Sequence, residues 1–152
     1  LIKIAHRGNV NGPSDRENEP SYLLEAIAQG YDVEVDLWVI DDVLWLGHDQ
    51  PQYQIGDGFS AEGFLPKIAD KAWVHCKNKE ALTYGNENPW NLRYFWHESD
   101  KYTLTSSGQV WVYPGEPVPD GAIVVDLDLS NLERYKYMAY AVCTDYPSKL
   151  GD

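Results

Sequence analysis

Glu34 and Asp36 stand two residues apart in VEVDLWVI, a run that is otherwise apolar. On a strand they share one face, while Val33, Val35 and Leu37 take the other. On a solvated face the pair is an ordinary polar stripe. In a sheet as apolar as the neighbouring runs imply, two close carboxylates are costly unless a cation sits between them. Other polar groups fall at comparable places: His6 and Arg7, His48 and Asp49, His75 and Lys77, His97 and Glu98, Asp126 and Asp128 all lie at or just past the ends of apolar runs. If those runs are parallel strands, their C-terminal ends lie on one side, where reactive groups collect. The residue types suit cleavage of a phosphodiester. A cation on two carboxylates neutralises the non-bridging oxygens. Two histidines divide activation of the nucleophile and protonation of the leaving alkoxide. Arg7 supplies a planar fork for phosphate oxygens and Lys77 a point charge.

Each of these residues has an ordinary reading when taken singly. HRG at 6–8 can be a turn built on Gly8. Asp126 can be a hydrogen-bonded strand carboxylate, HESD at 97–100 a common loop composition, and Trp111 with Tyr113 core packing rather than a stacking platform. Their conjunction in one order along the chain is what favours a site.

The elements that must position these groups follow from periodicity. IKIA at 2–5 reads as a strand that delivers His6. SYLLEAIAQ at 21–29 has Leu23, Leu24, Ile27 and Ala28 at helical spacing, with Ser21 as N-cap and Gly30 as stop. A strand over 32–39 turns at Asp41-Asp42 into a return strand VLWLG, a hairpin whose far end carries His48. A helix around 61–70, a strand over 72–76 and a helix starting near Asn78 follow. Then come a strand over 92–96, two alternating runs about Ser107-Gly108, a strand over 122–128, a helix over 130–137 and a last strand over 139–143. The alternation at both ends predicts a parallel α/β sheet. The connections at 97–101 and 106–108 are too short for helical crossovers.

The 152 residues suffice for one domain, taken as 1–152, with 43% hydrophobic residues and mean hydropathy −0.47. Twelve basic against 24 acidic residues give a net charge of −12, which repels nucleic acid at long range. No apolar run approaches the roughly 20 residues of a membrane helix. No basic region leads into a long apolar one, so no secretory leader is visible and the compartment reads as cytoplasmic or open. Cys76 and Cys143 do not form a disulfide framework and read as lone core thiols.

HRG at 6–8, EN at 17–18, EVD at 34–36, HD at 48–49 and TDYPSKL at 144–150, in this order, resemble the glycerophosphodiester phosphodiesterases, a family of phospholipase-C-like phosphodiesterases on a TIM barrel. The likeness covers residues 4–49 and the C-terminus, with a much shorter middle. It implies a compact, reduced (β/α) barrel, several helices shortened or missing, with a β-hairpin after the second strand. It also implies His6 and His48 as the acid–base pair and Glu34 and Asp36 as ligands of Mg²⁺ or Ca²⁺. Arg7 and Lys77 would contact the phosphate, and Glu17 and Asn18 would support the cluster.

Where the family carries a third carboxylate in a Glu-x-Lys pattern, this chain reads His75-Cys76-Lys77. Imidazole suits a hard cation less well than carboxylate. The substitution therefore leaves weaker binding, Mn²⁺ or Zn²⁺ instead, or a third ligand from elsewhere. The expected activity is metal-dependent hydrolysis of a small phosphodiester by a monomer, giving glycerol 3-phosphate and an alcohol. The alternatives are a catalytically silent relative that binds a phosphorylated ligand, and an aromatic-rich sugar-binding module.

Overall fold

The computed structural model describes residues 1–151. Its centre is β2 (Asp32–Ile40), flanked in parallel by β1 (Ile2–His6) and β5 (Ala72–Cys76). Beyond β5 lies β6 (Arg93–Phe95); beyond β1 lie β10 (Ala141–Thr144), β9 (Ile123–Val125) and β8 (Val110–Val112), all parallel neighbours. Antiparallel pairings attach β3 (Val43–Leu46) to the outer half of β2, β4 (Tyr53–Gly56) to β3, and β7 (Tyr102–Leu104) to β8. The hairpin turn Asp41-Asp42 has φ of 49° and 63°, the two left-handed residues that a right-twisted two-residue connection needs.

The barrel expected from the resemblance is not what forms. The ten strands make a mixed, unclosed sheet with short helices. Among the described residues β6 pairs with β5 and β7 with β8; the turn after β7 touches β6, where the Ser106 amide donates to the Tyr94 carbonyl at 2.8 Å and the Tyr94 amide donates to the Ser106 hydroxyl oxygen at 2.9 Å. The cause is chain length. A (β/α)₈ barrel takes roughly 200 residues or more, whereas β6, β7, β8 and β9 have three residues each and the segments between β6 and β9 contain no helix.

Helices cover the other face. α1 (Pro20–Ala28) starts one residue before the expected Ser21, because Pro20 fits the first turn, and its N-cap is Glu19. Gly30, at φ 95°, closes its end as expected. The helix expected at 61–70 is reduced to α2 (Phe64–Ile68). α3 (Lys79–Glu87) is capped by Asn78, whose side chain accepts the Ala81 amide. The helix expected at 130–137 is a 3-10 helix, Leu129–Tyr135.

Strand alternation sorts the core. Val33, Val35 and Leu37 pack outward under α1 and α3 with Leu23, Val74 and Ala81. The concave face holds Ile4, Trp73, Phe95, Trp111, Ile123 and Cys143. Phe95 stacks on Trp111 with ring centroids 4.2 Å apart, and Trp111 in turn lies against Trp73. This aromatic floor fills the concave face below the C-terminal strand ends. At the opposite end Asp32 accepts the Trp73 indole N–H at 3.0 Å, and Arg93 lies over the Trp73 ring. Among the described residues no helix is long and apolar enough to cross a membrane.

Candidate metal centre and active site

The first strand ends in a turn that fixes two candidate site residues, His6 and Arg7. Arg7 is left-handed at φ 55° and Gly8 follows at φ 89°; a Cβ on Gly8 would press on Tyr22 and Leu23 of α1. This turn leaves His6 pointing over the concave face. Its Nδ1 lies 2.8 Å from Asp145 Oδ1, so Nδ1 carries the proton and Nε2 faces the cavity, 4.0 Å from Glu34 Oε1. Burial works against charging the ring. The Asp145 hydrogen bond and the Glu34 charge outweigh it and hold the His6 pKa above its ordinary value. Asp145 is itself fixed by the Asn9 amide at 2.8 Å, and Tyr22 donates to Asn9.

Glu34 and Asp36 project from β2 onto the same face, both nearly inaccessible at 3% and 1%. His75 joins them because its register partner across the β2–β5 ladder is Asp36. His75 Nδ1 is 3.2 Å from Asp36 Oδ1 and 3.7 Å from Glu34 Oε2. One ligand atom from each of the three residues lies within 4.8 Å of the others, a spacing that could hold a metal ion. His75 Nε2 donates to the His97 carbonyl at 2.7 Å, and the ring stacks on Phe95. When neutral, the ring would turn its Nδ1 lone pair toward the carboxylates, the outer-shell arrangement that orients ligating histidines.

Without a cation the same atoms form an ion pair. Burial disfavours the imidazolium, but Asp36 and Glu34 more than compensate and raise the His75 pKa to about 9. Burial likewise opposes ionisation of Asp36; the His48 and His75 rings overcome it and hold the carboxyl far below its usual range. Glu34 Oε1, Asp36 Oδ1, Arg7 Nε and His48 Nδ1 are buried without a hydrogen-bond partner. Two orphaned carboxylate oxygens beside a correctly turned imidazole fit a divalent cation of borderline hardness better than a purely structural cluster.

The other predicted residues frame this centre. Asn18, left-handed at φ 66°, grips Asp36 twice: its amide donates to Oδ2 at 2.9 Å and its oxygen accepts the Asp36 backbone N–H at 3.0 Å. Glu17 does not reach the centre. It accepts from Arg7 at 3.0 Å and from Asn9 at 3.0 Å, and these bonds, with one from the Ser14 amide, lower its pKa against the opposing effect of burial. Arg7 also donates to His48 Nε2 at 3.1 Å, leaving the His48 proton on Nδ1, 3.6 Å from Asp36 Oδ2. Gly47 makes this placement possible, since a Cβ there would run into the Gln50 carbonyl.

His6, Arg7, Glu34, Asp36, His48 and His75 are among the residues lining a cavity of about 250 Å³. Lys77 is not among its lining residues. Asp126 faces the neighbouring groove and accepts the Asp128 amide. Trp111 is floor rather than platform, 3% exposed. His97, a rim candidate by its position after a strand, does line the cavity. Asp145 and Asn9 join the cluster through His6 and were not singled out from the sequence. The available signal was that Asp145 follows Cys143 by two residues at a strand end, which puts both on the concave face. No family model, curated protein or solved structure matches this chain.

Proposed function

We propose that the protein is a metal-dependent phosphodiesterase, cleaving a glycerophosphodiester to glycerol 3-phosphate and an alcohol. The observation that carries this reading is a buried Glu34–Asp36–His75 cluster sharing one small cavity with a carboxylate-oriented histidine, His6. The ordered motifs HRG, EN, EVD and HD point the same way through their resemblance to the glycerophosphodiester phosphodiesterases.

Glu34, Asp36 and His75 would hold the ion, Mg²⁺ or Ca²⁺ by the carboxylates and Mn²⁺ or Zn²⁺ by the imidazole. Bound there, it supplies charge neutralisation to the phosphoryl oxygens. Arg7 turns from His48 to a phosphate oxygen, where its fork replaces one hydrogen bond by another. That movement frees His48 Nε2 to take the proton of the attacking water. His6, kept protonated by Asp145, gives its Nε2 proton to the departing alkoxide. Water oxygen bonds to phosphorus, the phosphorus–oxygen bond to the alcohol breaks, and proton exchange with solvent then returns His48 to its neutral form and His6 to its protonated one.

A second reading has its own support. In the metal-free centre the His75 imidazolium already balances the carboxylates, which suits a catalytically silent relative that holds a phosphorylated ligand with Arg7. Release of glycerol 3-phosphate from glycerophosphocholine and glycerophosphoethanolamine, with Mg²⁺, Ca²⁺, Mn²⁺ or EDTA, separates the two. Metal-dependent turnover abolished in His6→Ala is the expected result. No turnover with any metal, also against an aryl phosphodiester, would leave the ligand-binding relative.

A further inference from the structure

A cavity of about 590 Å³ lies between the β2–β3 hairpin turn and one side of α3, and shares no lining residue with the carboxylate–histidine cavity. Its apolar part is made by Val39, Leu44, Tyr84 and Pro89, with Phe59 at the edge, 66% exposed. The segment carrying Phe59 is pinned in place. Gly58, at φ 75°, packs so closely on Leu44 and Tyr84 that a Cβ would collide with both, and its carbonyl accepts from the Tyr84 hydroxyl at 2.8 Å and the Trp90 indole at 3.1 Å. The Phe59 ring stands edge-on to Tyr84, centroids 6.1 Å apart, and leaves most of its surface to solvent. The rest of the lining is polar and mostly acidic: Asp41, Asp42, Glu80 and Glu87 against one cation, Lys79, with Thr83 and Asn88. Lys79 reaches Glu80 at 3.9 Å, whereas among the described residues Asp41, Asp42 and Glu87 have no ion pair. Glu87 is also the last residue of α3, where the helix dipole disfavours a negative charge and no basic residue shares the turn.

We infer that this cavity docks a basic segment of a partner protein. One apolar side chain enters between Phe59, Leu44 and Tyr84, and flanking lysines or arginines meet Asp41, Asp42 and Glu87. Charge complementarity selects this occupant. An apolar anchor in a pocket of this size supplies the binding energy, and the uncompensated carboxylates around it steer and orient a cationic chain. An arginine can in addition lie over the open face of Phe59. A second copy of this chain, at net charge −12, brings more negative charge to the contact, and nucleic acid or an anionic lipid surface is repelled in the same way.

The probes are five-residue peptides, blocked at both ends, with tryptophan, leucine or alanine between paired lysines, and a tryptophan peptide with paired glutamates. Binding to the full chain is read by fluorescence anisotropy and located by amide shifts in NMR spectra. The tryptophan and leucine peptides should bind, the alanine peptide about 30-fold more weakly than the tryptophan one for loss of the anchor, and the glutamate peptide not at all. Shifts should gather at Phe59 and along α3. Phe59→Ser, at an exposed position, should raise the dissociation constant by roughly fivefold or more. Asp42→Asn combined with Glu87→Gln should raise it by about two- to tenfold; asparagine tolerates the left-handed backbone of residue 42, so the turn is kept. No binding of the tryptophan and leucine peptides at millimolar concentration overturns the inference. So does equal binding of the alanine peptide, or a shift map centred on His6 and Asp36 with Phe59→Ser silent. None of these readouts depends on phosphodiester turnover, so the two readings stand or fall separately.

Discussion

His6 and Asp145, 139 residues apart in the chain, meet at 2.8 Å because β1 and β10 are parallel neighbours, Ala5 opposite Thr144. Replacing Asp145 by Asn keeps the shape and removes the charge that raises the His6 pKa. We expect kcat to fall by about 10²–10⁴-fold, the range for losing the carboxylate behind a catalytic histidine. In the proposed role of proton donor, His6 would work below its pKa. The alkaline limb of the pH–rate profile should therefore move to lower pH in Asp145→Asn. An unmoved limb would remove His6 from the acid role.

Metal binding should be coupled to proton release. In the metal-free protein His75 holds a proton up to about pH 9, and a ligating cation must displace it. Below that pH, affinity should rise by about tenfold per pH unit for the one proton lost. Calorimetry in buffers of different ionisation enthalpy reads this directly. His75→Gln should bind more weakly and without the buffer dependence.

The cation should also stabilise the fold. At a free metal concentration of 100 times the dissociation constant the gain is about 2.7 kcal/mol, which corresponds to a rise in Tm of roughly 5–10 °C for a chain of this size. Asp36→Asn should erase the rise with metal added. A rise that persists would place the cation elsewhere.

Cys76 and Cys143 report on the core. Burial raises the Cys76 thiol to about 12 and pushes Cys143 well above its ordinary value. Neither should react with a thiol reagent at pH 8 until the protein unfolds, when both should titrate. The unfolded chain loses these protons near pH 9 and the native state does not. Their contribution to stability is therefore present below about pH 9 and declines as the pH rises toward 12. Denaturant melts across that window check the sign.

Gly47→Ala should disturb His48 more than the candidate metal ligands, because the added methyl meets the Gln50 backbone, whereas Gly47 reaches Asp36 only through its amide on the Asp36 carbonyl. Turnover should fall by at least about tenfold, as expected when a catalytic group is misplaced, while Mn²⁺ affinity changes by less than about threefold. Parallel loss of both would mean that the 47–52 turn supports the whole centre.

Much of the site is legible in the residue order. Alternation in VEVDLWVI is enough to put Glu34 and Asp36 on one face, the Asp41-Asp42 turn dictates the hairpin, and Gly8 and Gly47 mark the backbone bends that turn out His6 and His48. These are local consequences of strand period and φ, so sequence alone carries them. What lies beyond it is register and closure. His75 is placed beside Asp36 only by the β2–β5 ladder, and Asp145 beside His6 only by β1–β10. Lys77 shares the sequence neighbourhood of the centre yet is absent from the cavity lining, whereas Glu17 braces the centre from outside through Arg7 and Asn9. The unclosed sheet is likewise decided by pairing, since β6 finds its ladder with β5 and β7 with β8 rather than with each other, which is a property of the whole chain rather than of either strand. The sequence by itself determined which groups stand at strand ends and which face they take. Only tertiary pairing, a sum of non-local backbone hydrogen bonds and packing, decided which of those ends meet.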